Sequence, residues 1–172
     1  MEELIRVGER PGRLVSFDTN VLLHFQCIDL IKWHEVIAST DPIRLVIPVL
    51  VLDELDEKRY TGSQATRKAA RTALKPLEER LADLRSQGYA ELSEGVTFEY
   101  LLAGGDKRRG NPDAEILDQA ELLQHISSRE VTVATGDHGL WQRSVARGMK
   151  VAMMPSRFAR DMDEARGETC DT

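Results

Sequence analysis

Four short apolar runs recur along the chain: Leu14 to Phe17, Leu45 to Ile47, Val131 to Ala134 and Val151 to Met153. Their length and β-branched content predict buried strands. Helical patterns lie between them. Ile28, Ile31 and Val36 suggest an imperfect amphipathic helix from about Cys27 to Ser39. Val49 to Lys58 is helix-prone, with Pro48 at its first turn. Ala69 to Gln87 carries Ala70, Leu74, Leu77, Leu81 and Leu84 at three/four spacing, ends at Gly88 as a C-cap, and contains Pro76, which predicts a kink or two abutting helices. Pro112 to Ser127 follows Asn111 as N-cap, and Leu140 to Ala146 is a short helix closed by Gly148. Strands alternating with helices, with no tight hairpin signal between the first and last, predict an α/β fold with a parallel sheet.

The segment from about Thr61 to Asn111 departs from that alternation. It offers a long helix, a strand near Glu91 to Phe98, and then the Gly- and Arg-rich AGGDKRRGNP. It reads as an insertion on one sheet edge. One domain is expected over 14–155, with a helical insertion at about 61–110 and tails at 1–13 and 156–172.

Composition narrows the function classes. The 172 residues include 23 Lys plus Arg and 29 Asp plus Glu, a formal net charge of −6. That balance argues against a basic protein that coats nucleic acid by neutralising phosphates. It leaves room for an enzyme in which metal ions neutralise phosphate at the point of reaction. Cys27 and Cys170 form no zinc pattern and no disulfide framework, which predicts a reducing, cytoplasmic location. No run is long and apolar enough to span a membrane, and the N-terminus has no signal-peptide core.

Ligands of open parallel sheets bind beyond the carboxyl ends of the strands, so the residues following each strand carry the information. Asp18, Thr19 and Asn20 follow the first strand, and Thr135, Gly136 and Asp137 end the strand that starts at Val131. Each acid also reads as a helix cap. Asp113 shares a helix face with Ile116 and Leu117, where a buried carboxylate needs a partner or a metal. In VLVLDELDEKR, Asp53, Glu54, Asp56 and Glu57 fit one solvated face, with Glu54 at the edge of the apolar stripe. Periodicity leaves that choice open. Acids converging at one sheet edge repel one another unless a cation is present, and an all-oxygen set suits Mg²⁺ or Mn²⁺. The four histidines have no mutual zinc spacing.

Taken together, FDTNVLLHF, VIPVLVLDELDEKR, NPDAEILDQAELL and VTVATGDHGLWQRSVARGMKVA resemble a PIN-domain ribonuclease, in order and in strand or helix context, over most of residues 14 to 153. The resemblance implies a Rossmann-like three-layer α/β/α sandwich with a central parallel sheet. It also implies an acidic centre binding Mg²⁺ or Mn²⁺, and endonucleolytic hydrolysis of single-stranded or structured RNA that leaves a 5′-phosphate and a 3′-hydroxyl. By position, the catalytic and metal-binding acids would be Asp18, Glu54, Asp113 and Asp137. Thr135 and Asn20 would support them. Gly136 falls where the family often has a polar residue, and carries little meaning at this level. The long segment between the second and third acids is similar to larger PIN domains outside toxin–antitoxin pairs, although an antitoxin partner and a homodimer both occur in the family.

Lys107, Arg108 and Arg109, just before Asp113, are the candidate RNA-backbone contacts. Arg67, Lys68, Arg71 and Lys75 form a second basic face that reads as solvated helix surface. With 5% aromatics, a broad base-stacking platform is not expected. Two phosphate-handling alternatives fit worse, because Asn20 stands where a haloacid-dehalogenase-type phosphatase needs its second acid and a receiver domain's acidic pair is missing. The remaining alternative is a PIN-like module that binds RNA or protein without cutting.

Overall fold

The computed structural model describes residues 9–102 and 110–160. Six strands form one sheet: β1 (Arg13–Phe17), β2 (Ile43–Pro48), β3 (Ala90–Ser93), β4 (Val96–Leu101), β5 (Val131–Thr135) and β6 (Lys150–Met153), in the spatial order β3-β4-β2-β1-β5-β6. All neighbours pair in parallel except β3, which runs antiparallel to β4. The helices are α1 (Thr19–His24), α2 (Trp33–Ile37), α3 (Val49–Lys58), α4 (Gln64–Glu78), α5 (Leu81–Gln87), α6 (Pro112–Ser127) and α7 (His138–Ala146), followed by a 3₁₀ turn at Ser156–Phe158.

Alternation along the strands divides the core into two layers, as a sheet covered on both faces requires. Val15 and Phe17 of β1 join Leu22, Leu55 and Leu74 on the face covered by α1 to α4. Leu14 of β1 joins Val46, Leu117, Leu123, Val133 and Leu140 on the face covered by α6 and α7. The result is the three-layer α/β/α arrangement expected from the sequence.

Three local expectations change. The helix expected from Cys27 to Ser39 shrinks to α2. The Trp33 indole N–H donates to the Ile28 carbonyl at 2.9 Å, engaging an acceptor that a continuous helix would use, and Ala38 in the left-handed region closes the short helix. The expected break near Pro76 falls after Glu78, giving two abutting helices, with Gly88 capping the second. The single strand expected near Glu91 to Phe98 is a hairpin, β3 and β4, turning at Glu94-Gly95 with Gly95 at φ 71°. Glu-Gly is not among the dipeptides that mark such two-residue turns, so the two strands read as one. Cys27 is disulfide-bonded, contrary to the expectation from cysteine spacing, while Cys170 lies outside the described residues.

Charge is also buried within the sheet, between Arg44 near the amino end of β2 and Glu99 in the middle of β4. Arg44 of β2 and Glu99 of β4 are each 1% exposed. The Arg44 guanidinium donates twice to Glu99 Oε1, from Nε at 3.0 Å and from Nη2 at 2.5 Å, and Nη1 donates to the Arg10 carbonyl. Arg10 itself reaches Glu99 at 3.4 Å and lies over the Tyr89 ring, while Arg129 donates to the Arg10 carbonyl. These contacts fasten the segment entering β1 to β2 and β4 and to the residues just before β3 and β5.

Candidate active site

The chain leaves β1 toward β2 on one side and returns to β5 on the other, so the sheet order switches direction at β1. Such a switch opens a crevice beyond the strand's carboxyl end. Asp18 stands at that point. Backbone geometry of φ −88° and ψ 168° makes it the N-cap of α1, and Oδ1 accepts from the Val21 N–H at 3.2 Å. Oδ2 accepts from the Thr135 hydroxyl, across from β5, at 3.1 Å. Cap and candidate ligand are thus one residue, because a cap uses only part of a carboxylate's acceptor capacity. Asp18 is 2% exposed. Burial pushes its carboxyl up from 3.8 to about 6; the hydrogen bonds from Val21 and Thr135 resist the rise, and the charges of Asp113 and Asp137 add to it.

Thr135 links two of the acids. Its hydroxyl donates to Asp18 and accepts from the Asp137 N–H at 3.0 Å. Asp137 caps α7 through Oδ1, which accepts from the Leu140 N–H at 2.8 Å, and the residue is exposed. Gly136 acquires a role that its sequence position did not suggest. A Cβ there would lie 2.6 Å and 2.8 Å from Cε2 and Cζ of Phe25, so the ring of Phe25 packs against bare backbone between Thr135 and Asp137.

Glu54 separates from its acidic neighbours. Asp53, Asp56 and Glu57 are exposed, whereas Glu54 is half-buried, accepts from the Thr19 hydroxyl at 2.6 Å and pairs with Lys58 at 3.4 Å. Thr19 is the residue after Asp18, so α1 joins the first and second acids. Asp113, in the first turn of α6, is less enclosed than its helix face implied. Its side chain is 36% exposed and forms an ion pair with Arg143 of α7. Asn20 is exposed and makes no side-chain hydrogen bond to Asp18. Lys107, Arg108 and Arg109 lie outside the described residues. Arg67, Lys68 and Arg71 are exposed on α4, which packs on α1 and α3, and Lys75 is half-buried. A groove of about 380 Å³ beside Glu54 is bordered by Leu50, Lys58, Thr61, Pro112 and Glu115.

A model of the PIN domain matches residues 15–154. The chain belongs to the PIN-domain family. PIN domains are commonly nucleases and typically use divalent metals. The chain also resembles a solved domain of a functionally unknown protein from Methanocaldococcus jannaschii DSM 2661, with a TM-score of 0.54 and 17% identity, covering 83% of this chain and 91% of that one. At that identity the likeness concerns the fold. No curated protein matches the sequence. Among the described residues, no helix is long and apolar enough to cross a membrane.

The donor set bears on the metal that such domains use. Among the described residues, no three acid, histidine or cysteine side chains are drawn together closely enough to enclose an ion as they stand. The chemistry nonetheless fits a hard divalent cation: all the candidate donors are carboxylate oxygens, and Asp18 feels the charges of both Asp113 and Asp137. Arg143 and Lys58 are the cations already in contact with two of the acids. Sequence reasoning missed Arg143 and Lys58. Lys58 lies four residues after Glu54 on its own helix, and helical side chains lean toward the N-terminus, which carries it to that acid, whereas Arg143 meets Asp113 from a different helix.

Proposed function

We propose that this PIN domain is a metal-dependent endoribonuclease that hydrolyses RNA phosphodiesters and leaves a 5′-phosphate and a 3′-hydroxyl. The observation that carries the reading is Asp18: a buried carboxylate at the sheet's switch point, facing two further carboxylates, with no cation paired to it among the described residues. Keeping such a charge buried is unfavourable for folding alone, and ligand binding offsets that penalty.

Asp18, Glu54, Asp113 and Asp137 would hold Mg²⁺ or Mn²⁺. When bound, the cation supplies acidity to a water and positive charge beside the phosphoryl oxygen. The protein's own groups do the positioning. Thr135 fixes Asp18 and the backbone of Asp137 together, and Thr19 with Lys58 holds Glu54 at the rim, where its free carboxylate lone pairs can take a proton from the attacking water. In-line attack forms the new P–O bond as the bond to the 3′ oxygen breaks, and that oxygen takes its proton from solvent water on leaving. The basic stretch Lys107 to Arg109, adjacent in sequence to Asp113, is proposed to contact the strand's backbone.

A second reading rests on the Asp113–Arg143 ion pair, which occupies one of the acids and suits a domain that binds RNA or protein without cutting it. Incubating single-stranded RNA with the protein and Mn²⁺ or Mg²⁺, alongside EDTA and Asp18→Asn controls, separates the two. The nuclease predicts metal-dependent cutting that Asp18→Asn lowers by more than the ~10–100-fold typical of outer-shell changes. Equal cutting by wild type and variant overturns the assigned site. Absence of both cutting and Mn²⁺ binding leaves the binding module.

A further inference from the structure

Arg143 is an unassigned cation at the acidic edge, and two independent observations give it a place there. Its Nη2 pairs with Oδ2 of Asp113, linking α7 to α6. One turn earlier on α7, Gly139 leaves the space that the guanidinium uses: a Cβ at that residue would lie 3.2 Å and 3.4 Å from the two terminal guanidinium nitrogens and 3.0 Å from Oδ1 of Asp137. Gly139 thus borders both the guanidinium paired with Asp113 and Oδ1 of Asp137. The Arg143 side chain is 47% exposed, which leaves it room to leave the pair without unpacking the core.

Building on the metal-nuclease reading, we propose that Arg143 is a positioning residue that acts as the resident counter-cation of the acidic centre. It holds and screens Asp113 while the divalent ion is absent, yields that carboxylate when the ion binds, and then turns its planar donor fork to the phosphate of the RNA strand. Guanidinium suits this exchange because the same two-pronged face recognises carboxylate and phosphate. Its release from Asp113 opposes metal binding by the strength of a half-exposed ion pair. Its capture of phosphate favours substrate only after that release.

The test is calorimetry with Mn²⁺ on the full chain, comparing wild type, Arg143→Ala and Arg143→Lys, with KM for a single-stranded RNA as the second readout. Removing the competitor should tighten Mn²⁺ binding about 1.5- to fivefold, the range of a partly exposed ion pair. The same variant should raise KM for RNA by about tenfold, as a lost charge-assisted contact would. Arg143→Lys keeps a point charge but not the fork, so it should restore the metal affinity of wild type and leave KM raised. A merely structural arginine would not tighten metal binding when removed. If wild type binds Mn²⁺ and Arg143→Ala binds it no more tightly, the exchange is wrong and the nuclease reading stands. If wild type binds no Mn²⁺, the nuclease reading fails and the exchange fails with it.

Discussion

Two clusters in the sheet hold buried charge in opposite ways. Between β2 and β4, Glu99 is surrounded by Arg44 and Arg10, and nearly every donor in the group has an acceptor. At the carboxyl ends, Asp18 is as deeply buried as Glu99, yet its partners are a backbone N–H and a hydroxyl, and the nearest charges are like its own. The first cluster is electrostatically closed and fastens the chain. The second is open and unfavourable until something positive enters. Depth of burial does not separate the ion-paired acid from the proposed metal ligand in this fold. The sign of the surrounding charge does.

Breaking the closed cluster should produce the largest change. Glu99→Ala leaves Arg44 buried without its carboxylate, and removing one member of a buried pair costs about 3–5 kcal/mol. Thermal unfolding should fall by roughly 6–20 °C, taking ~2–4 °C per kcal/mol for a chain of this size. RNA cutting by the fraction that remains folded should be unchanged, because the pair contacts none of the candidate acids.

The same operation at the open cluster should have the opposite sign. Asp18→Asn keeps a good N-cap and removes the buried charge, so in EDTA at pH 7 the variant should be more stable than wild type by about 1–3 kcal/mol. The pH profile supplies the check. Below the ordinary 3.8, Asp18 is protonated in both the folded and the unfolded chain and contributes no difference. Between 3.8 and about 6 the unfolded chain releases the proton and the folded chain retains it, so wild-type stability falls as pH rises. Above about 6 the penalty is complete and constant. The melting gap between Asp18→Asn and wild type should therefore open across that window and stay level above it. A gap independent of pH would mean that Asp18 is not the strained charge described here.

The contrast also explains what could be read from the sequence. The closed cluster was invisible: Arg44 and Glu99 lie 55 residues apart on strands that pair only in the folded sheet, and nothing local marks either as a partner. The strand-end acids Asp18 and Asp137 could be proposed from position alone, whereas Glu54 was singled out among the α3 acids only by the family resemblance. Which acid of α3 faces the site was not decided by periodicity, and the Thr19 hydroxyl on Glu54 is a long-range contact. Asp113 was placed on the correct helix, but its cationic partner was missed, since Arg143 reaches it from another element. The β3–β4 hairpin was missed for a simpler reason. Glu94-Gly95 is a less emphatic turn than Asn-Gly or Asp-Gly, and the two flanking strands read as one.

One glycine beside each cluster gives the finest comparison. Gly12, at φ 120°, precedes β1, and a Cβ there would lie 2.8 Å from the Pro42 carbonyl oxygen and 3.2 Å from Cγ and Cδ of Arg44. Gly12→Ala combines a backbone conformation that L-residues avoid with a clash against main chain, so it should cost about 1–3 kcal/mol and leave cutting unchanged. At Gly136 the obstacle is the far edge of the Phe25 ring, which can tilt, so Gly136→Ala should cost about 1 kcal/mol. Its effect on cutting should be larger than its effect on folding. The methyl sits between the residue that holds Asp18 and the residue that ends in Asp137, and displacement of catalytic groups by even ~1 Å can lower rates ~100-fold. Melting curves and RNA-cleavage rates on the two variants should therefore cross: Gly12→Ala the less stable and fully active, Gly136→Ala the more stable and slower by ~10-fold or more. If both lose stability and activity in proportion, the two clusters are mechanically one unit, and charge alone separates them.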